Sequence, residues 1–256
     1  MNRLSSAKIS VLGTSLTLLL LVAVPASVGA VAKQAATNTS AFCSNIDNKA
    51  ATITTNLGNL KTKKDAAETT REQTLTTDRT QWDTELADNR SKWDAQRADN
   101  FKKLEAKATT PAQLAAVKSY ETTVTTAVQT RRSANDKARS TFRTAVDAAI
   151  VAQHNTITNQ VSALTSGVTT AVSTAKTACS TMPTDGAAIR SALQASLKTA
   201  RETFNNDRKT DTKLGDTIKA LAATRDTSIK ANDATFKDTA QTARDTLKTA
   251  FGSQNV

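Results

Sequence analysis

"QWDTELADNRSKWDAQRADN", residues 81–100, nearly repeats itself after eleven residues. Trp82 and Trp93 are eleven residues apart, and an Ala-Asp-Asn triplet follows each tryptophan at the same distance. Eleven residues form three turns of about 3.67 residues each, close to the ordinary helical value of 3.6. A sustained pattern of this kind predicts nearly straight helices that pack along one another over many turns.

Apolar residues elsewhere in the chain recur at the same spacing. Val146, Ile157 and Val168 are separated by steps of eleven, as are Ile218 and Ile229 in the last third. A tryptophan or aliphatic stripe at helical spacing is typical of a packing seam rather than of a ligand site. The predicted seam residues are Trp82, Leu86, Trp93, Leu104, Val146, Ile157, Val168, Ile218, Ile229 and Phe236.

The composition favours an all-α fold. Seven glycines and three prolines in 256 residues leave few of the turns that a sandwich or barrel needs every 8–12 residues or so. Only 38% of the residues are hydrophobic and 4% aromatic, so the core is expected to be thin. We predict an elongated antiparallel three-helix coiled-coil rod with helices of about 65 residues.

The first thirty residues resemble a secretory signal peptide. A basic start with Arg3 and Lys8 precedes an apolar run, and Val28 and Ala30 fit the small-residue pattern of a cleavage site. The alternative is an uncleaved membrane anchor, although the apolar run is short for a span and ends at Pro25. The prediction is therefore export to the periplasm, the cell surface or the medium.

Two breaks divide the remaining chain into three long segments. Thr110, Pro111 and Gln113 form a capping-box pattern, which predicts a turn and a new helix starting at Pro111. A second break is predicted around Pro183 and Gly186, with Thr184 or Asp185 as the helix cap. The resulting organisation is a flexible segment (31–42), a helical hairpin turning at Pro111 (43–180), a third helix (185–251) and a disordered tail (252–256).

The third helix contains Gly215, which could split or kink it, since glycine weakens a helix interior. The sequence leaves open whether the helix continues through this residue.

The two cysteines support the hairpin. Cys43 opens the first long segment, Cys179 closes the second, and Pro111 lies midway between them. Folding back at Pro111 would bring the two thiols together, and paired cysteines are common in exported proteins. We predict a Cys43–Cys179 disulfide; free thiols or pairing between chains are the alternatives.

No enzymatic motif is present, and we expect no catalytic residue, cofactor or bound metal. The one histidine, His154, lies between Gln153 and Asn155 and is interpreted as a polar surface or seam residue. Without Arg3 and Lys8, 32 basic and 23 acidic residues remain, a net charge of +9. Such an excess is typical of a solvated surface and also favours anionic polymers. The candidate anion-binding face consists of Arg132, Arg139 and Arg143, although scarce aromatic residues argue against specific nucleic-acid binding.

Several motifs carry weaker resemblances. "SANDKARSTFRTAVDAA", "KTARETFNNDR" and "TARDTLKTAF", with "FCSNID" after the leader, resemble a group of exported Ala/Lys-rich helical proteins of candidate-phyla-type bacteria, which implies no activity. "DTAQTARDTLKTA" resembles the eleven-residue repeats of late-embryogenesis-abundant proteins, which implies a chain that is disordered until dried. A basic, exported helical hairpin is also similar in architecture to periplasmic holdase chaperones.

These observations predict a structural or adaptor protein of the cell envelope or surface. The alternative classes are a holdase-type chaperone, a binder of anionic envelope polymers, and a desiccation or lipid-surface protein. The expected partners are a protein or an anionic envelope polymer, with self-association as a further possibility and membrane contact only through an uncleaved leader.

Overall fold

The computed structural model describes residues 39–252. The predicted signal peptide (1–30), most of the segment 31–42 and residues 253–256 of the predicted tail lie outside the described residues. Within residues 39–252 the chain forms helices and no strand. These helices are α1 (Thr39–Ser44), α2 (Ile46–Lys107), α3 (Pro111–Thr181), α4 (Gly186–Thr210) and α5 (Leu214–Phe251).

The third predicted segment, whose continuity the sequence left open, forms two helices, because residues 211–213 separate α4 from α5. Asp211 adopts an extended backbone with φ −61° and ψ 134°. Its carboxylate accepts hydrogen bonds from Arg208 Nη1 at 2.9 Å and from Gln160 Nε2 of α3 at 2.9 Å. Gly215 lies one turn further on, inside α5, so the break is set by Asp211 and its partners rather than by the glycine.

Helix α1 begins inside the segment predicted to be flexible. Ser44 Oγ and Asn45 Nδ2 both donate to the carbonyl of Ala41, and Phe42 packs against the core near the disulfide. The half-buried Phe42 ring thus packs α1 against the core of unit 1.

The turn between α2 and α3 has the predicted capping box. Gln113 Oε1 accepts hydrogen bonds from the backbone N–H groups of Thr109 and Thr110, at 2.8 and 3.2 Å. In return the backbone N–H of Gln113 donates to Thr110 Oγ1 at 3.2 Å. These contacts satisfy N–H groups that have no partner at the start of a helix. At the second break, Asp185 occupies the N-cap position, as one of the two predicted caps. Its side chain, however, makes no capping hydrogen bond to the helix.

The chain divides into two compact units. Unit 1 comprises residues 39–69 and Ile150–Gly215. Near the start of α2, Ile46 packs with Cys179 of α3 and Ile189 of α4; further along α2, Leu60 packs with Leu164 and Phe204. In this unit the α3 segment therefore runs opposite to both α2 and α4.

Unit 2 comprises Thr70–Ala149 and residues 216–252. Val117 of α3 is fully buried against Leu247 and Phe251 of α5, whereas Val124 and Val128 pack with Ala243 further back along α5. The α3 and α5 segments of unit 2 therefore run in opposite directions as well.

Candidate functional site

The most ordered arrangement of charge in unit 2 is a set of arginine–aspartate pairs between α2 and α3, named here the ladder. Each guanidinium donates from both terminal nitrogens to both oxygens of one carboxylate. The four pairs described are Arg79–Asp147 at 2.7 Å, Arg90–Asp136 at 2.6 Å, Arg132–Asp94 at 2.8 Å and Arg143–Asp83 at 2.7 Å. Bidentate pairs of this kind constrain orientation as well as distance.

The ladder follows an eleven-residue spacing on both helices. Each helix carries two Arg-x-x-x-Asp segments, eleven residues apart: "RTQWD" (79–83) and "RSKWD" (90–94) on α2, "RSAND" (132–136) and "RTAVD" (143–147) on α3. Antiparallel packing sets the arginine of each segment opposite an aspartate of the other helix. The repeated motif can be read from the sequence, and together with the predicted antiparallel hairpin it was the signal that could have indicated the ladder.

Helix α5 packs on α3 through a second reciprocal pattern in unit 2. The Arg131 guanidinium lies 4.1 Å from the centre of the Phe236 ring, and the Arg225 guanidinium lies 4.6 Å from that of Phe142. Arg131 and Phe142 are eleven residues apart on α3, as are Arg225 and Phe236 on α5. Cation–π contacts thus join α3 to α5 at the same eleven-residue spacing at which ion pairs join α3 to α2.

The predicted anion-binding face is not a row of free arginines. Arg132 and Arg143 belong to the ladder, and Arg139 Nη1 lies 3.0 Å from Asp136 Oδ1. Arg139 also lies over the Trp82 ring at 4.8 Å, and burial lowers its pKa. Because aspartates already neutralise these guanidinium groups, the structure does not support the sequence prediction of an available anion-binding surface.

The two tryptophans, both predicted to lie in the seam, differ from each other in their exposure to solvent. Trp82 is half-buried beneath Arg139 and Arg143, whereas Trp93 is 43% exposed. The exposure of Trp93 does not support the seam prediction for this residue. Among the other predicted seam residues, Val146 and Val168 are buried, and those half-buried are Leu86, Leu104, Ile157, Ile218, Ile229 and Phe236.

A double-mutant cycle on the ladder tests the pairing of Arg132 with Asp94. We expect Arg132→Ala and Asp94→Ala each to lower the free energy of unfolding, with a coupling energy of about 1 kcal/mol, the upper end for exposed ion pairs. The reversed pair, Arg132→Asp with Asp94→Arg, should recover part of the loss. Urea unfolding followed by circular dichroism measures each value. A coupling energy near zero would show that the pair is not formed in solution.

Acid is expected to destabilise the ladder. Hydrogen bonds from Arg132 hold the pKa of Asp94 at about 2, and Arg143 lowers the pKa of Asp83 in the same way. A carboxylate with a depressed folded pKa stabilises the fold above its unfolded pKa, and this contribution is lost as the pH falls through the folded pKa. Thermal stability should therefore fall between about pH 4 and pH 2, and Asp94→Asn should weaken this dependence; an unchanged pH profile in that variant would contradict the assignment.

The next eleven-residue step along the ladder carries two like charges. It leads from Asp94 to Glu105 on α2 and from Arg132 to Glu121 on α3. Burial raises the pKa of Glu121, the charge of Glu105 adds to the effect, and Glu121 Oε1 is buried without a hydrogen-bond partner among the described residues. The pattern of the ladder thus ends at this step.

Glu121→Gln is expected to stabilise the protein at pH 7 by about 1 kcal/mol, because it removes a buried like charge and supplies a donor. Glu121→Arg, which would continue the ladder toward Glu105, should stabilise it further. Thermal melts at pH 7 and pH 4 provide the measurement, and the gain from Glu121→Gln should shrink at the lower pH. A loss of stability in both variants would contradict the like-charge interpretation.

In unit 1 the predicted cysteine pair is confirmed. Cys43 and Cys179 form a disulfide, with their Cα atoms 5.3 Å apart, beside buried Ile46 and Ala175. Further along, Glu68 accepts a hydrogen bond from the Nζ of buried Lys64 at 3.2 Å, and its other oxygen lies 2.6 Å from His154 Nδ1. His154 therefore links α3 to α2 in this unit.

The described residues contain no group of three or more histidine, cysteine or acidic side chains arranged to hold a metal ion. None of the helices in residues 39–252 is long and apolar enough to span a membrane. Fold and site together define a helical protein with a disulfide in one unit and an arginine–aspartate ladder in the other. No family model matches the chain, and neither a curated protein nor a solved structure matches it.

Proposed function

We propose that this chain is an exported, non-enzymatic structural or adaptor protein of the cell envelope or surface. Its working form would be an elongated antiparallel three-helix rod whose helices pack at an eleven-residue spacing. The function depends on holding that form and on presenting a long lateral surface to a partner.

The ladder is the observation that carries this proposal. Four bidentate pairs among the described residues of unit 2 direct arginine charge toward neighbouring aspartates rather than toward solvent. A shift of α2 along α3 by one residue would break all four pairs at once. An arrangement that fixes the register of two helices in this way suits a protein whose shape is its function.

The disulfide supports the exported location. Disulfides persist in oxidising compartments, and Cys43–Cys179 closes a loop of 136 residues. The leader-like residues 1–30, which lie outside the described residues, favour the same compartment.

Solution scattering and circular dichroism on residues 31–256 test the rod. We expect a helical particle about 100 Å long, from 1.5 Å per residue over about 65 residues, with a lower melting temperature after reduction. A disordered chain that becomes helical only on drying or with lipid vesicles would overturn the proposal in favour of the desiccation or lipid-surface class.

Two functional assays separate the remaining classes. A holdase should suppress aggregation of a reduced model client at a near-stoichiometric ratio. A binder of anionic polymers should bind heparin with an affinity that falls steeply with salt. A structural protein should show neither activity, and cell fractionation should find it, with its leader removed, in the envelope or medium.

A further inference from the structure

The two Arg-x-x-Trp-Asp segments of α2 provide an internal comparison. They share the same motif, but Trp82 lies beneath Arg139 and Arg143, whereas Trp93 is 43% exposed. One repeat along the antiparallel α3, the position of Arg139 is taken by Val128, which is buried in the core. The Arg139 guanidinium therefore has no counterpart at the second indole, whereas the counterpart of Arg143 is Arg132, which binds Asp94.

The side chains beside the two tryptophans on α2 also differ, because carboxylates beside Trp82 are replaced by amides beside Trp93. Residues at i−4, i+3 and i+7 share a helix face with residue i. Around Trp82 these positions hold Asp78, Glu85 and Asn89; around Trp93 they hold amides, while Arg90 and Arg97 occupy i−3 and i+4 on the same face. The amide residues, Asn89, Gln96 and Asn100, form with Trp93 the surface named here the Trp93 patch, of which Gln96 and Asn100 are exposed and Asn89 is half-buried.

The nearest charges on this face are already engaged. Asp94, next to Trp93, binds Arg132, and Arg97 Nη2 lies 2.6 Å from Asp94 Oδ1. Arg90 binds Asp136, and Lys92 is about 100° around the helix from Trp93. A charged partner would thus find no free counter-charge on the patch.

An exposed indole that has amides beside it, and whose neighbouring arginines are held by aspartates, matches the chemistry of a sugar ring. The apolar C–H face of a pyranose packs on an aromatic surface, and amide groups both donate to and accept from the hydroxyl groups at its edge. A neutral sugar needs no counter-charge, whereas a cationic side chain of the kind that covers Trp82 would lack the carboxylates present there.

We propose that the Trp93 patch binds pyranose rings of a neutral glycan. The inference deepens the proposed envelope role and rests on it for the choice of partner, because an exported protein at the cell surface meets glycans. A single exposed ring predicts weak binding per site, so that a polymer with many sugars would be held through repeated contacts.

The test uses residues 31–256 with Trp82→Phe, which leaves Trp93 as the only tryptophan. Chitotetraose, cellotetraose and maltotetraose are titrated while indole fluorescence is recorded. We expect a saturable change with at least one tetrasaccharide, at a Kd of about 0.1–10 mM. Gln96→Ala with Asn100→Ala in the same background should weaken binding about tenfold.

Calorimetry supplies the matched control without relying on fluorescence. Trp93→Ala should abolish the heat of tetrasaccharide binding, whereas Trp82→Phe should leave it unchanged. Equal binding by both variants would overturn the assignment to Trp93. No binding of any tetrasaccharide up to about 50 mM would overturn the glycan proposal, as would Trp93-dependent binding of an oligo-lysine peptide or Trp93-dependent dimerisation without a response to sugar.

Scattering and circular dichroism on the same samples separate this inference from the proposed function. A helical rod that does not bind the sugars would overturn the glycan proposal and would leave the proposed structural role unaffected. A chain that fails to form the rod removes the proposed function, whatever the titration shows.

Discussion

Cys43→Ala with Cys179→Ala is expected to lower the free energy of unfolding of unit 1 by about 4 kcal/mol. The disulfide closes a loop of 136 residues, and the entropy of closing a loop of that size corresponds to about 5 kcal/mol. Measured losses usually fall below this limit because the unfolded chain retains some structure. Alanine leaves no buried hydroxyl beside Ile46 and Ala175, so that the variant isolates the loss of the cross-link.

Urea unfolding monitored by circular dichroism measures this loss. The wild-type protein treated with reductant should fall to nearly the same stability as the alanine variant, and reductant should not affect the variant itself. Equal stability of the oxidised and reduced wild-type protein would show that packing alone holds α1, α3 and α4 together in unit 1.

Leu247→Ala is expected to destabilise unit 2 by about 3 kcal/mol. The side chain is 3% exposed and packs with Val117 and Phe251, so its truncation leaves a cavity as well as losing buried apolar area. The matched control is Leu114→Ala, which removes the same atoms from a residue that is 37% exposed and should cost less than about 1 kcal/mol.

The same urea measurement distinguishes these two leucines. Leu247 is one of the few large side chains buried in the described part of unit 2, so its truncation should cost more than that of Leu114. Similar losses in the two variants would mean that the α5 segment does not pack on α3 as described.

The ladder and the Trp93 patch give the repeat two separate roles. In the first Arg-x-x-Trp-Asp segment, arginines from α3 cover the tryptophan, and the surface is closed by contacts within unit 2. In the second, the same backbone position carries an open indole among amides. One repeat unit thus serves packing and the other offers a surface, while the Arg–Asp pairs of both hold the helices in the same register.

The sequence by itself determined the features that depend on neighbouring residues or on chain symmetry. Few turn-forming residues and the eleven-residue spacing indicated helices, the Thr110–Gln113 capping box placed the start of α3, and the cysteines symmetric about Pro111 predicted the disulfide. Each rests on backbone propensity or on distance along the chain, which can be read without knowing the fold.

Only the tertiary structure decided which side chains face which. The break at Asp211 depends on Gln160 of α3, and the cover over Trp82 depends on Arg139 and Arg143. Trp93 is more exposed where Val128 takes the place that Arg139 has beside Trp82. A helical pattern specifies a face of each helix, but the identity of the residue opposite depends on how two helices are aligned. That alignment sets whether an arginine meets an aspartate, an aromatic ring or solvent.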